Sequence, residues 1–256
     1  MDDKFLSFAN FLADEAAKIS RKYFRNLASI DTKDNKTPVT IADREIELHL
    51  RDLIKQHYPE HAIIGEEFAN HESVNQFCWV LDPIDGTVAF TTGKPTFTTL
   101  IALIQNGQPL LSVIDQAISH ERFSGLAGKT AFLNTQVITT SKVTTLANAR
   151  LNATTPYMFK TDYEQQVFDK VRRAVKLTAF GGDAYAFGLL ASGHIDVIVE
   201  ADLQYYDVAA LVPIISAAGG VITDWQGQEL TKEFNGQCLA CANHELHQQV
   251  LQLINN

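Results

Sequence analysis

The segment WVLDPIDGT, residues 79–87, constrains this chain more than any other stretch. An apolar run leads straight into two acids separated by Pro83 and Ile84, and proline fixes its own φ while offering no amide to a sheet. The run reads as a buried strand that feeds a turn. Asp82 and Asp85 stand three apart across that turn, so their carboxylates and the carbonyl of Ile84 can converge on one point. Gly86 permits a close turn, and Gly86-Thr87 can open a short helix whose amides face an anion. One reading is a metal and phosphate site. The other is an ordinary turn, because Asp-Pro and Asp-Gly pairs often do no more than hydrogen-bond nearby backbone.

The pattern around this strand predicts layers. Phe5, Phe8, Leu12, Ala16, Ile19 and Tyr23 recur at three- and four-residue steps, the stripe of an amphipathic helix. Residues 31–38 form a polar loop, and Thr40 caps a second helix with Ala42, Ile46, Leu50 and Leu53 on one face. AIIGEE and FCWVLD read as short buried strands, each ending in carboxylates. FTTLIALI and PLLSVID flank Asn106-Gly107, a strong hairpin signal, and so open an antiparallel meander over 97–134. Strands and helices then alternate: ARLNAT, a helix over about 163–175, KLTAF, a helix over 184–191, HIDVIVE, a helix after Asp207, GVITD, CLACA and a last helix. Such alternation predicts a layered α/β structure. With no repeat and no low-complexity linker, a boundary near residue 140 is a seam inside one domain, 1–256. The sub-domains are then about 1–140, with an antiparallel sheet, and about 141–256, α/β.

Composition removes several function classes. With 21 Lys+Arg against 30 Asp+Glu, a net charge of -9 opposes nucleic-acid binding, which depends on cations neutralising phosphates. No apolar run approaches the roughly 20 residues of a membrane span. The start, MDDKFLSFAN, is acidic and amphipathic rather than a secretory signal. Cys78, Cys238 and Cys241 fit a reducing compartment, so a cytoplasmic location is expected. Cys238 and Cys241 form a C-x-x-C followed by His244 and His247, but a buried strand and a helix capped by Asn243 would aim these ligands apart, which favours a structural role over zinc. His57, His61 and His71 read as solvated loop residues. Gly128-Lys129-Thr130 lacks the glycine spacing of a P-loop, and neither H-E-x-x-H nor G-x-S-x-G occurs.

Other acids gather near strand and helix ends. Glu66 and Glu67 close an apolar strand, and Asp207 lies at the start of an apolar helix after the strand ending at Glu200. Each also has a bland reading: a solvated loop for Glu66-Glu67, a helix cap for Asp207, and the third residue of a Thr40 capping box for Asp43. A pocket of four or five carboxylates would reject an anion such as phosphate, since two like charges at 4 Å repel by about 4 kcal/mol at an effective dielectric near 20. Divalent cations reverse that sign, and hard Mg2+ prefers oxygen-only ligands.

Four ordered elements, VTIAD over 39–43, IIGEE over 63–67, WVLDPIDGT over 79–87 and YYDVAALVPIISAAGGVITD over 205–224, resemble the inositol monophosphatase superfamily of metal-dependent phosphate monoester hydrolases. Within it, FTTGKPTFTTLIAL over 90–103, VIDQ over 113–116 and FGGDAYAFGLLASGHIDVIVEADLQYYD over 180–207 look most like the histidinol-phosphate phosphatases. The resemblance implies an α/β fold, the αβαβα sandwich of the inositol monophosphatase and fructose-1,6-bisphosphatase type, and a homodimer. It also implies two or three Mg2+ ions, which would activate a water for in-line displacement and stabilise the leaving alkoxide, with no covalent enzyme intermediate. Glu66, Asp82 and the Ile84 carbonyl would bind one, Asp82, Asp85 and Asp207 a second, and Glu66 would help hold a third. Asp43 with Thr87 would orient or deprotonate the attacking water. The amides of Gly86 and Thr87 would hold the phosphate beside Asp85 and Asp207, while Gly182, Asp183, Ala184 and Glu200 line the alcohol side.

Two departures, Ala89 where the family often has Asn and Tyr206 where it commonly has Trp, spare the metal ligands. The implied reaction is L-histidinol phosphate plus water giving L-histidinol plus phosphate. Asp183, Glu200 and Asp202 add negative charge that suits the ammonium and imidazole of that alcohol. Alternatives are inositol 1-phosphate, a nucleotide 3′-phosphate or a sugar bisphosphate. A different class is a non-catalytic binding protein associated with RNA complexes.

Overall fold

The first helix, α1 (Asp2–Tyr23), buries Phe5, Phe8, Leu12 and Ala16 along the stripe that the three- and four-residue spacing predicts. The computed structural model describes residues 2–26, 31–32 and 38–255, excepting the side chains of 2, 31, 32, 38 and 39. Strands β1 (Asp31–Thr32) and β2 (Pro38–Val39) pair antiparallel, so the two ends of the expected polar loop form a hairpin, and residues 33–37 of that loop lie outside the described residues. Helix α2 (Ile41–His57) starts on a complete capping box, in which Thr40 accepts the Asp43 amide and Asp43 accepts the Thr40 amide.

A seven-stranded sheet follows in chain order. It comprises β3 (Ala62–Gly65), β4 (Phe77–Asp85), β5 (Thr98–Gln105), β6 (Gln108–Gln116), β7 (Glu121–Leu126), β8 (Ala131–Leu133) and β9 (Gln136–Ile138). Only the β3–β4 pairing is parallel. The short helix α3 (Thr87–Thr91) lies between β4 and β5. At the β5–β6 turn Asn106 and Gly107 take φ values of 52° and 83°, the left-handed pair that a two-residue hairpin demands.

The second half supplies β10 (Arg150–Ala153), α4 (Asp162–Ala174), β11 (Leu177–Phe180), α5 (Asp183–Ala191), β12 (Val197–Glu200), α6 (Tyr205–Val208), α7 (Leu211–Ala217), β13 (Val221–Thr223), β14 (Cys238–Cys241) and α8 (His244–Asn255). Its sheet runs β11-β10-β12-β14-β13, with β10, β11 and β12 parallel and β14 antiparallel to both its neighbours. The single helix expected after Asp207 is in fact two, and Asp207 lies inside the first. Pro213 is the reason: it has no amide to return to Ala209, so it is accommodated in the first turn of a restarted helix.

Alternation along the strands sorts the apolar side chains into three buried clusters and thereby stacks five layers. Trp79, Leu81, Ile101 and Leu103 pack on α1 and α2. From the other face of the same sheet, Val80, Leu100 and Ala102 meet α5 and α7, which also cover Ile198, Cys238 and Ala240 of the second sheet. The outer face of that sheet, Val197, Val199, Leu239 and Cys241, packs on α4 and α8. The order is therefore helix, sheet, helix, sheet, helix. No helix among the described residues is long and apolar enough to cross a membrane.

Two histidine readings change. His61 is buried at 7% exposure, accepts the Trp79 indole N–H at 3.1 Å, and stacks on Tyr58 and Phe77 with ring centroids 4.7 and 4.9 Å away. His57 closes α2 rather than sitting on a loop, and only its exposure matches expectation. His71 is half-buried and exchanges backbone hydrogen bonds with Ile63. Cys238 and Cys241 face opposite sides of β14, one in the middle cluster and one in the outer, as residues three apart on a strand must. Among the described residues, no cysteine or histidine joins a cluster of metal-ligand geometry.

Candidate metal centre

Strand β4 does not stop at the first acid. Its pairing with β5 runs to Asp82 opposite Leu100 and resumes at Asp85 opposite Thr98, so three steps on β4 answer two on β5. On a regular strand, residues three apart point to opposite faces; the extra residue cancels that offset. Pro83 sits in the bulge, where a missing amide costs no ladder bond, and its carbonyl accepts Thr99 Oγ1 at 2.8 Å. Ile84 turns its side chain into the α1–α2 cluster. Asp82 and Asp85 meet Asp207 from α6, with one carboxylate oxygen of each within 4.8 Å of the other two.

Each member of this trio is held differently. Asp82 is 2% exposed, and its Oδ1 is buried with no hydrogen-bond partner. Asp85 Oδ2 accepts the Ala184 amide at 2.6 Å, across 99 residues of sequence. Asp207 accepts the Gln204 amide at 2.6 Å, so it does cap α6 as well as face its fellow acids. Burial pushes the Asp82 carboxyl well above the ordinary range, and the charges of Glu66, Asp85, Asp207 and Asp43 push it further. Asp85 rises for the same first reason, then through Asp183 and Asp207. A cluster of carboxylates, one of them buried with an oxygen that has no donor, is what a hard cation fills, and an all-oxygen donor set fits Mg2+.

The other predicted residues ring this trio. Glu66 follows directly on β3; it is not part of the 4.8 Å group, yet its charge reaches both Asp82 and Asp43. The Ile84 carbonyl accepts Thr87 Oγ1 at 3.2 Å. Asp43, 1% exposed, takes the Thr40 amide at 2.9 Å and the Thr40 hydroxyl on Oδ2, while its buried Oδ1 has no partner. Burial, then Glu66, raise its pKa to about 6. The capping-box reading of Asp43 is therefore correct for one oxygen and leaves the other available.

Gly86, at φ 81°, caps α3, and a Cβ there would come within 2.9 Å of the Asp183 carboxyl, so only glycine lets the two segments close. Asp183 opens α5 after Gly181 and Gly182, all three with positive φ. Its pKa is raised to about 6 by burial, against the charge of Lys94. Glu200, at the end of β12 and 2% exposed, accepts the Thr154 amide at 2.7 Å, and burial lifts it to about 8. A cavity of about 90 Å3 joins Asp85, Thr154, Asp183, Ala184, Glu200 and Asp207.

Asp202 stands apart from this group. It is exposed and paired with Lys160, so its charge is neutralised at the surface instead of adding to the pocket. Sequence reasoning passed over Thr154, whose role is carried by a backbone amide that any residue type would supply.

Comparison with known proteins follows the same lines. The model of the inositol monophosphatase family matches residues 1–256. The chain is 42% identical to the bifunctional phosphatase IMPL2 of Arabidopsis thaliana, over 98% of this chain and 75% of that protein. It is 32% identical to a histidinol-phosphatase of Chlorobaculum parvum, over 98% of this chain and 96% of that one. Among solved structures, an inositol monophosphatase from Zymomonas mobilis superposes with a TM-score of 0.90 at 40% identity, over 99% of this chain and 98% of that one. With the five-layer fold, the bulged acid strand and a match over its whole length, this chain belongs to the inositol monophosphatase family of phosphatases.

Proposed function

We propose that the protein is a Mg2+-dependent phosphate monoester hydrolase whose substrate is L-histidinol phosphate, which it converts to L-histidinol and phosphate. The observation that carries the hydrolase reading is the meeting of Asp82, Asp85 and Asp207 within 4.8 Å around a buried, donorless carboxylate oxygen. Asp82, Asp85 and Asp207 would hold two ions together with Glu66 and the Ile84 carbonyl, and Glu66 would share in a third. Bound there, Mg2+ would supply positive charge to the phosphate, to the attacking water and to the departing alkoxide.

The chain's own groups divide the remaining work. The unpartnered Oδ1 of Asp43 provides a proton acceptor, held in place because Oδ2 is tied to Thr40. Thr87, hydrogen-bonded to the Ile84 carbonyl, orients the water from the other side. The Gly86 and Thr87 amides at the start of α3 donate to the phosphate. Gly182, Asp183, Ala184 and Glu200 line the alcohol.

Two findings support histidinol phosphate over an uncharged polyol ester. Asp183 and Glu200 face one small cavity, where an ammonium or imidazolium group would offset their charge. The C. parvum relative is named a histidinol-phosphatase. The same reading carries a homodimer in the cytoplasm, checked by light scattering and cell fractionation.

The direct test is phosphate release from L-histidinol phosphate and from inositol 1-phosphate, each with Mg2+ and with excess chelator. A higher kcat/KM on histidinol phosphate that vanishes on chelation is expected. Equal rates on both esters would overturn the substrate, and turnover that survives chelation would overturn the metal.

A further inference from the structure

Behind the loop that carries Glu66 lies a buried ion pair that the chemistry above does not use. Glu47 and Arg51 stand one turn apart on α2 with side chains 0% and 7% exposed, and Arg51 Nε donates to Glu47 Oε1 at 2.7 Å. Each also reaches past its partner to the chain after β3. Glu47 Oε2 accepts the Glu67 amide at 2.7 Å, and the Arg51 Nη2 group donates to the Phe68 carbonyl at 3.1 Å. On the near side of Glu66, a Cβ at Gly65 would lie 2.1 Å from Glu47 Oε1. Gly65 has no left-handed φ, so it is the approach of Glu47 that demands glycine here.

Helix docking does not require such a pair. Ile46, Leu50 and Ile54 already anchor α2 to the sheet, and a buried ion pair is often no better than well-packed apolar residues of similar size. What apolar side chains could not do is grip backbone groups on a short irregular segment. Contacts at Gly65, Glu67 and Phe68 enclose Glu66 on both sides and fix its backbone next to Asp82, whose carboxyl feels the Glu66 charge.

We propose that Glu47 and Arg51 are positioning residues, which fix Glu66 against Asp82 and so set the affinity of the site for a divalent cation. This rests on the reading of Glu66 as a metal ligand. Partners one step removed from a metal typically change its affinity about 10- to 100-fold when altered.

The test uses the full-length protein and three variants, Glu47→Gln, Gly65→Ala and Arg51→Lys. Mg2+ binding is measured by titration calorimetry without substrate, and thermal unfolding is followed in chelator. A rise of about 10- to 100-fold in the Mg2+ dissociation constant is expected for Glu47→Gln. At saturating Mg2+ the KM for histidinol phosphate should stay within about 2-fold of the parent, because the hydrogen bonds of the pair end at Glu67 and Phe68, outside the lining of the alcohol cavity. Arg51→Lys keeps the charge but loses the fork that spans Glu47 and Phe68, so it should show the same direction with a smaller shift. It also carries the test if Glu47→Gln does not fold. Variants that melt earlier yet bind Mg2+ as tightly as the parent would overturn the positioning role and leave the metal reading standing. A parent protein that binds no Mg2+ would overturn both.

Discussion

Replacing Asp85 with asparagine should have opposite effects on stability and on catalysis, and the size of the first follows from the geometry. One oxygen each of Asp82, Asp85 and Asp207 lies within 4.8 Å of the others, a separation at which an ionised pair repels by about 3.5 kcal/mol at an effective dielectric near 20. Asp85 belongs to two such pairs, so full ionisation would cost about 7 kcal/mol. Taking up a proton limits this: at pH 8 the cost cannot exceed about 5.7 kcal/mol, the free energy of protonating an ordinary aspartate there. Asparagine removes the repulsion but accepts the Ala184 amide less strongly, a loss of about 1 kcal/mol.

The variant is therefore more stable than the metal-free parent by up to about 4.7 kcal/mol, and each kcal/mol raises the melting midpoint of a chain this size by about 2–4 °C. The sign with pH is fixed by the direction of the shift. The folded-state pKa of Asp85 lies above its unfolded value, so the destabilisation grows as pH rises from the ordinary aspartate range through the folded pKa. The advantage of the variant should therefore shrink toward pH 4. With Mg2+ the gap narrows, because an ion held by Asp85, at a hundred times its dissociation constant, adds about 2.7 kcal/mol to the parent and not to the variant. Differential scanning calorimetry in chelator at pH 5 and pH 8, and again in Mg2+, measures all of this. A variant that melts below the parent in chelator at pH 8 would refute the electrostatic argument.

Asp43→Asn should separate folding from turnover, since an asparagine oxygen can still accept the Thr40 amide. In chelator at pH 8 the variant should gain up to about 3 kcal/mol, because a neutral amide replaces a carboxylate that burial lifts to about 6, beside a kcat loss of about 100-fold or more in Mg2+, read from unfolding curves and phosphate release on one preparation. Glu200, lifted from 4.5 to about 8 by burial, should make the metal-free protein lose about 5 kcal/mol of stability as pH rises across that window. Urea midpoints for Glu200→Gln at pH 5 and pH 8.5 should lie much closer together than those of the parent; equal slopes would refute the burial argument.

The strand ending in acids was legible at Trp79–Asp82 because apolar residues run without interruption into carboxylates, and the β5–β6 hairpin was legible because Asn-Gly is suited to a left-handed pair. The five-layer order came from family resemblance, and the three apolar clusters agree with it. What stayed hidden depends on partners distant in sequence. A proline between two acids reads as a turn, and only the register with Thr98 and Leu100 reveals a bulge that keeps Asp85 in the sheet. HYPEHA looks like a polar loop, yet the Trp79 indole and the rings of Tyr58 and Phe77 create a buried seat for His61. Asp202 looked like part of the pocket until Lys160 claimed it. Glu47 and Arg51, four apart on an amphipathic helix, have the spacing of a solvent-facing pair.

The hydrogen bond from the Ala184 amide to Asp85 spans 99 residues, and the third acid of the trio arrives later still, at Asp207 in a chain of 256. During synthesis the first sheet can therefore emerge and fold while its two acids still have neither their third companion nor the α5 amide. A divalent ion has no complete seat until most of the protein has left the ribosome. Cutting the polypeptide between the two sheets would leave each fragment with only part of the donor set, and ion capture would then report directly on their reunion.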